Sequence, residues 1–126
     1  MPVVLKIDPQ RRVVYSAFYG RITDAELSGH RSAIARDPDF NPQFSDIVDF
    51  SAVTETNISE KTIAQMAAST SLFRSSVQHI IVASGEPMQS LAKKFKQFAR
   101  DSRPNFHVVR TRAEAYKLLP SAVKAK

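Results

Sequence analysis

The stretch Val77-Gln78-His79-Ile80-Ile81-Val82-Ala83 has the composition of a strand that is covered on both faces. Its apolar run is nearly unbroken, and the turn-forming residues Ser84-Gly85-Glu86-Pro87 follow it directly. Such runs are typical of parallel strands in sheets that helices cover on both sides. We therefore predict that residues 77–83 form a central parallel strand.

Helical segments flank this strand in the sequence. The upstream segment begins after Ser59 and repeats apolar or small residues three and four positions apart. Its predicted buried residues are Ile63, Met66, Ala67, Thr70 and Phe73. The downstream segment begins near Pro87, which a first helical turn tolerates. Its predicted buried stripe consists of Met88, Leu91, Phe95 and Phe98.

The N-terminal part of the chain predicts a hairpin followed by a helix. Residues 3–7 and 13–22 have strand composition, and the short turn-forming link between them predicts an antiparallel pair. Thr23-Asp24-Ala25-Glu26 matches a capping box, in which the Thr and Glu side chains satisfy N–H groups at a helix start. We expect this helix to run from about Asp24 to Arg36. Its buried face should carry Leu27, His30 and Ile34.

The remaining elements continue the alternation of strands and helices. Residues 44–53 predict a third strand, and residues 106–110 predict a fifth. Thr111-Arg112-Ala113-Glu114 is a second capping box, and the helix after it should bury Ala115, Leu118 and Leu119. The order β-β-α-β-α-β-α-β-α predicts an α/β fold. We expect one domain over residues 1–126, with a five-stranded mixed, mainly parallel sheet and flanking helices.

Composition limits the classes of function. The chain has no Cys, which excludes disulfides, thiolate metal sites and Cys nucleophiles. Its N-terminus lacks the apolar core of a signal peptide, and no run approaches the roughly 18 apolar residues of a membrane helix. We therefore expect a soluble cytoplasmic protein without a transmembrane segment.

The positive charge is concentrated in the second half of the chain. Residues 74–126 carry 11 basic and 3 acidic side chains, within a net charge of +6 for the whole chain. This asymmetry favours weak binding of polyanions without sequence preference, and it predicts no specific nucleic-acid partner. The candidate anion-binding patch consists of Lys93, Lys94, Lys96, Arg100 and Arg103.

Motifs for catalysis or cofactor binding are absent from the sequence. It contains no Gly-x-Ser-x-Gly elbow, no His-Glu-x-x-His and no Walker loop. Its three histidines, His30, His79 and His107, are too widely spaced to indicate a metal site. We therefore expect a non-enzymatic protein without a metal or cofactor.

Four residues near predicted strand ends and helix starts are candidates for a switch or a ligand rim. We expect Asp49 at the carboxyl end of the third strand and Ser84 after the fourth, where open α/β sheets bind ligands. Ser59 and Asn57 stand before the second helix, where either side chain can serve as the N-cap. We favour capping by Ser59, and on that interpretation Ser59→Asp costs little stability because Asp also caps.

The element order and four local patterns resemble the SpoIIAA-like family, which is related to STAS domains and includes STAS/SEC14-type proteins. The patterns are Gly20-Arg21-Ile22-Thr23, Ile47-Val48-Asp49-Phe50, Ile80-Ile81-Val82-Ala83 and Thr111-Arg112-Ala113-Glu114-Ala115. The resemblance covers about residues 3 to 119. It implies a mixed sheet flanked by helices, and the chain is most similar to the uncharacterised bacterial branch of the family.

The resemblance implies two functions. Anti-sigma-factor antagonists of this fold carry an Asp-Ser phospho-acceptor motif before the second helix, but this chain has Asn57-Ile58-Ser59-Glu60 there, with Ile58 in the acceptor place. The first expectation is therefore a regulatory protein-interaction module without an intact acceptor, acting with a protein partner or as a homodimer. The second is a carrier of a small apolar ligand or lipid of the SEC14 type. Its pocket would be lined by Phe40, Phe44, Phe73, Phe95 and Phe98.

Overall fold

A five-stranded sheet with helices on both faces forms the protein. The computed structural model describes residues 3–68, 71–74, 76–99 and 104–119. The elements are β1 (Val3–Asp8), β2 (Val13–Thr23), α1 (Asp24–Arg36), β3 (Ser45–Asn57), α2 (Glu60–Ala68), β4 (His79–Val82), α3 (Met88–Ala99), β5 (Phe106–Val109) and α4 (Arg112–Lys117). The predicted element order and fold class are confirmed.

The sheet is mixed, and its strands lie in sequence order. β1 pairs antiparallel with β2, whereas β2, β3, β4 and β5 are mutually parallel. In the hairpin turn, the Asp8 carboxylate accepts the N–H groups of Gln10 and Arg11, both at 3.1 Å. The 77–83 stretch supplies β4, which pairs with β3 on one side and β5 on the other, so its interior position in the sheet is confirmed.

Strand lengths depart from the predicted ones. β3 continues to Asn57 rather than ending at residue 53, because β2 pairs with it as far as Thr23 opposite Asn57. The last four residues of β3 are polar and largely exposed, so they lack the apolar alternation that signals a strand. β4 and β5 are shorter than predicted and end at Val82 and Val109.

The capping boxes define the starts of two helices. At α1 the N–H of Thr23 donates to Glu26 Oε1 at 2.7 Å. At α4 the N–H of Glu114 donates to Thr111 Oγ1 at 3.1 Å, and the N–H of Thr111 donates to Glu114 Oε1 at 3.0 Å. These bonds satisfy N–H groups that have no partner within the helix, and both predicted starts are confirmed.

The two faces of the sheet are covered unequally. Phe18, Val48 and Phe50 face α1, α2 and α3 and pack with Leu27 and Met88. The alternating residues Val13, Ile47, Ile80 and Val82 face the other way and pack with Ala115 of α4 and with Leu119. Because successive side chains of a strand point to opposite faces, one strand supplies both cores.

The buried side of α3 differs from the predicted stripe. Phe98 is 44 % exposed, and the buried positions are Met88, Gln89, Ala92 and Ala99. The small residues let the helix lie close to the sheet, and Leu91 and Phe95 are left half-buried on its flank. Phe73 is buried, but it lies beyond the end of α2, and Thr70 lies outside the described residues. Within the described ranges, none of the helices has the length and apolarity needed to cross a membrane.

Candidate ligand-binding site

A cavity of about 440 Å³ lies between the sheet and the layer of α1, α2 and α3. The sheet contributes Phe18, Val48 and Phe50 to its wall, and the three helices contribute Leu27, Met66 and Leu91 in turn. Each of these side chains projects inward because the apolar stripe of each helix faces the apolar side of the sheet. The cavity therefore lies on the side of the sheet that α1, α2 and α3 cover.

Aromatic rings form much of the cavity wall. Phe18 and Phe50 stack with ring centroids 5.1 Å apart, and the His30 ring meets Phe18 edge-on at 5.0 Å. Phe95 of α3 stacks on Phe106 of β5 at 5.2 Å. Offset-stacked and edge-to-face pairs at these distances are favourable, so the rings hold defined positions around the cavity.

The opening of the cavity lies between α1 and α2. Exposed residues of both helices belong to its lining, namely Ser28, Arg31 and Ser32 of α1 and Gln65 of α2. Exposed side chains that line a cavity mark the side on which it reaches solvent. A ligand would enter there and meet the aromatic rings farther in.

Two hydrogen bonds join α1 to the start of α2 beside this opening. Asp24 accepts the Ser59 N–H at 3.0 Å through Oδ1 and the Ser59 hydroxyl at 3.1 Å through Oδ2. The N–H of Ser59, together with the hydroxyls of Thr62 and Ser59, lowers the pKa of Asp24. We name this contact the Asp24–Ser59 link.

Ser59 is the N-cap of α2. Its hydroxyl oxygen accepts the N–H of Thr62 at 3.1 Å, and its carbonyl accepts the N–H of Ile63 at 3.2 Å. This geometry is the one by which Ser stabilises a helix start. Asn57, the other capping candidate, is the exposed last residue of β3 and pairs with Thr23 of β2.

His30 places a polar ring in the cavity wall. Its Nε2 lies 2.6 Å from Oγ of Ser16, a side chain that is fully buried in β2. Burial lowers the pKa of His30 from 6.5 to about 4, so the imidazole is neutral at pH 7. His30 is therefore an uncharged part of the cavity wall, with its Nε2 bonded to Ser16.

Asp46 and His79 form a polar pair in the inner wall. They are Cα partners on the neighbouring strands β3 and β4, and both line the cavity. Asp46 Oδ1 and His79 Nε2 are buried atoms, and the edge of the His79 ring meets Phe73 at 5.7 Å. Asp46 is not among the predicted site residues, because a lone Asp at the start of a predicted strand has no recognisable pattern.

Asp49 lies on the opposite face of the sheet and not at a strand end. β3 continues for eight residues beyond it, although the pairing of β3 with β4 stops at Asp49. This carboxylate is 6 % exposed, and it accepts the Tyr15 hydroxyl at 2.7 Å. It also accepts the N–H and the hydroxyl of Ser51, at 2.9 and 2.6 Å. Three of its roughly four acceptor sites are therefore used within the protein.

Arg112 of α4 also contacts Tyr15, and Ser84 follows β4. Arg112 Nη1 donates to the Tyr15 hydroxyl at 3.3 Å, and the guanidinium lies 5.6 Å from the centre of the Tyr15 ring. Ser84 is exposed after β4, and its carbonyl accepts a bond from Arg110 at 3.3 Å. Neither Asp49 nor Ser84 lines the cavity, so the four candidate rim residues do not form one site.

The predicted anion-binding patch is only partly described. Lys94 forms an ion pair with Glu60 of α2 at 3.0 Å, which joins α3 to α2 and reduces its availability to an anion. Lys93 and Lys96 are exposed on α3, whereas Arg100 and Arg103 lie outside the described residues. The binding of polyanions stays a prediction.

The predicted aromatic lining is correct for two of five residues. Phe73 and Phe95 line the cavity, but Phe40, Phe44 and Phe98 do not. Phe40 packs behind Phe73 at 5.3 Å, Phe44 belongs to the core around Ile34, and Phe98 faces solvent. The rings that replace them are Phe18, Phe50 and Phe106. They lie on strands, and the pairing of distant strands is what brings them together.

The described residues contain no group of three or more His, Asp and Glu side chains that could hold a metal ion. Neither a scan of the chain against known protein families nor a search of curated proteins finds a match. The cavity, its aromatic wall and its polar groups are therefore the features from which a function can be inferred.

Proposed function

We propose that this protein binds a small, largely apolar molecule in the cavity between the sheet and α1, α2 and α3. The observation that carries the proposal is the cavity itself, with about 440 Å³ of space in a chain of 126 residues. Ligand pockets are typically about 300–1,000 Å³, mostly apolar, with a few polar groups that orient the ligand. The lining of this cavity has that composition.

A void of this size has an energetic consequence. Protein interiors are close-packed and contain few spaces larger than a water molecule. Water that enters this cavity through its opening meets mainly apolar side chains and few polar partners. A ligand with an apolar body makes more favourable contacts with this wall than water does, which supports binding as the role of the cavity.

The proposal corresponds to the carrier that the SEC14 side of the resemblance implies. A regulatory interaction module without an intact phospho-acceptor stays a prediction, and it does not depend on the acceptor position. Ile58 stands there and contributes its side chain to the cavity wall. Ser59, the neighbouring hydroxyl, caps α2 and bonds to Asp24.

Titration with the neutral fluorescent probe N-phenyl-1-naphthylamine tests the proposal. We expect saturable binding with one site per chain. Ala92→Leu, which adds three carbons to a buried residue of the cavity wall, should weaken the probe by tenfold or more. The matched control is Ala35→Leu on the exposed side of α1, which should leave the affinity unchanged.

Folding of both variants is checked by circular dichroism and urea melts. Ala92 is also one of the small residues by which α3 lies close to the sheet, so a leucine there strains the packing. Leu91→Trp enlarges a half-buried residue of the cavity wall instead, and this second variant should retain native structure while losing the probe. Linear, non-saturable fluorescence in the wild type, or equal binding by both leucine variants, would refute the proposal.

A further inference from the structure

We infer that the cavity takes an aromatic amine, with the ammonium group at Asp46 and the aromatic body among the phenylalanine rings. This inference rests on the proposed function, since it names the chemical class of the ligand for the same cavity.

The positions of the charged residues in the lining support an amine. Among the described residues, the lining includes one acidic side chain, Asp46, and one Lys or Arg side chain, Arg31. Arg31 is exposed on α1 at the opening, whereas Asp46 is partly buried on β3 in the sheet wall of the cavity. A ligand that enters with its apolar body between the helices therefore meets a negative charge at its inner end.

The setting of Asp46 makes a cationic group favourable there. An ammonium group forms a charge-assisted hydrogen bond with a carboxylate, and such bonds are stronger than those between neutral groups. Asp46 makes its own interactions within the protein. A carboxylate has about four lone-pair sites, so it can accept a further donor from a ligand. An ammonium group supplies both the donor and the charge.

The rings around this end of the cavity favour the same ligand. His79 lies beside Asp46 on the next strand, with its ring against Phe73, and Phe106 follows on β5 as the Cα partner of His79. The face of an aromatic ring attracts a cation, and aromatic pairs add to the apolar contact of a ligand ring. A carboxylic acid finds the opposite conditions, because Asp46 repels it and the exposed Arg31 is screened by water.

Three ligands that share one apolar body test the inference on the unmodified protein. They are 4-phenylbutylamine, 4-phenylbutanol and 4-phenylbutyrate, each measured by displacement of N-phenyl-1-naphthylamine at pH 7. We expect the amine to bind about tenfold or more tightly than the alcohol, as a charge-assisted hydrogen bond implies, and the acid to bind most weakly.

Asp46→Asn removes the charge and nearly preserves the shape. It should bring the amine to within about threefold of the alcohol, while the affinity for the alcohol itself changes little. The matched control is Asp39→Asn, an exposed carboxylate outside the cavity lining, which should keep the preference for the amine.

The outcomes separate this inference from the proposed function. If the alcohol binds as well as the amine, His79 or another protein group neutralises Asp46, and the amine class is wrong while the cavity still binds. If the acid binds best, Arg31 is the anchor and the inference is again overturned. If neither the probe nor any of the three ligands binds, the proposed function itself fails. Should Asp46→Asn not fold, the order of the three ligands on the wild type still decides.

Discussion

Two aspartates of one strand, Asp46 and Asp49, meet opposite conditions on the two faces of the sheet. Asp49 faces α4, where the Tyr15 hydroxyl and two groups of Ser51 donate to its oxygens. Asp46 faces the three-helix layer and lines a cavity of about 440 Å³. They are three positions apart in a strand, and an odd separation places side chains on opposite faces.

The difference separates a structural carboxylate from a candidate ligand group. On the α4 side the polar contacts are short and internal, and they hold β2, β3 and α4 together. On the cavity side the polar groups adjoin space that a molecule can occupy. Burial of a carboxylate alone therefore does not indicate a function. A cavity beside the carboxylate is the better indication of a ligand site.

The largest effect is expected on the α4 side. Asp49→Ala removes the acceptor of three hydrogen bonds, donated by the Tyr15 hydroxyl and by the N–H and hydroxyl of Ser51, in a partly buried place. We expect it to lower the free energy of unfolding by about 3 kcal/mol. Urea melts measure this. Exposed Asp39→Ala is the control and should stay within about 0.5 kcal/mol of the wild type. A loss in Asp49→Ala no greater than in that control would contradict a structural role.

Acid should destabilise the cavity side through His30. Its pKa is lowered from 6.5 to about 4 in the folded protein, so between these pH values the unfolded chain binds the proton and the folded chain does not. The contribution of neutral His30 to the free energy of unfolding is therefore fully present above pH 6.5. It falls as the pH decreases towards 4, by about 2 kcal/mol when partial solvation of the ring is taken into account.

His30→Gln tests this dependence because it removes the titrating group and keeps a polar side chain opposite Ser16. Urea midpoints at pH 7, 5.5 and 4 should fall less in the variant than in the wild type. His107→Gln is the matched control. Burial, with a contribution from Lys96, lowers the pKa of His107 as well, but its ring is less enclosed and should contribute less. Parallel pH profiles for His30→Gln and the wild type would rule the explanation out.

Substitutions in the Asp24–Ser59 link should lower the free energy of unfolding by a smaller amount. Ser59→Ala removes the cap of α2 and should lower stability by about 1 kcal/mol. Ser59→Asp retains a capping side chain but places a carboxylate beside Asp24, whose oxygens now accept from Ser59. We therefore expect Ser59→Asp to be at least as destabilising as Ser59→Ala. This replaces the expectation of little cost, which took no account of Asp24.

Asp24→Asn in the Ser59→Asp background is the decisive control. It removes the repulsion and should restore part of the lost stability, whereas it should not improve Ser59→Ala. Urea midpoints of the four variants at low and high salt measure the effect. If Ser59→Asp equals the wild type at low salt, Asp24 does not interact with the new carboxylate.

A similarly small effect is expected for Tyr15→Phe, which removes one donor to Asp49 and leaves two. It should cost about 1 kcal/mol at pH 7. Burial and the bond to Asp49 raise the pKa of Tyr15 above its usual value of 10, although Arg112 opposes this. The folded state thus holds the Tyr15 proton more tightly than the unfolded chain does. The contribution of this hydroxyl to the free energy of unfolding is lost as the pH rises above about 10. The difference in urea midpoint between the wild type and Tyr15→Phe should be smaller at pH 11 than at pH 9. A larger difference at pH 11 would contradict a raised pKa for Tyr15.

Local signals in the sequence sufficed for most of the secondary structure. Thr23 with Glu26, and Thr111 with Glu114, placed two helix starts correctly, because a capping box involves only four consecutive residues. Apolar runs located all five strands in the correct order. The strand ends were less accurate, since the polar end of β3 is held by its pairing with β2 and not by its own composition.

The candidate site was predicted only in part, and the reason is physical. Phe73 and Phe95 were expected in a pocket and are found there, but Phe98 points to solvent because the small residues of α3 face the sheet. Asp49 was selected as a rim residue, yet its oxygens are used by Tyr15 and Ser51. Asp46 was missed because its position in a cavity wall depends on the helices that pack against its face of the sheet.

By itself, the sequence determined the order of elements, the mixed sheet and the capped helix starts, because hydrophobic period and capping act within a few residues. The tertiary structure alone decided which face each aspartate occupies and where an unfilled volume remains. Those properties depend on strand register and helix packing between residues far apart in the chain, such as Tyr15 with Asp49 and Asp46 with His79. A one-residue change of register would exchange the two faces of a strand, so no local pattern can specify them.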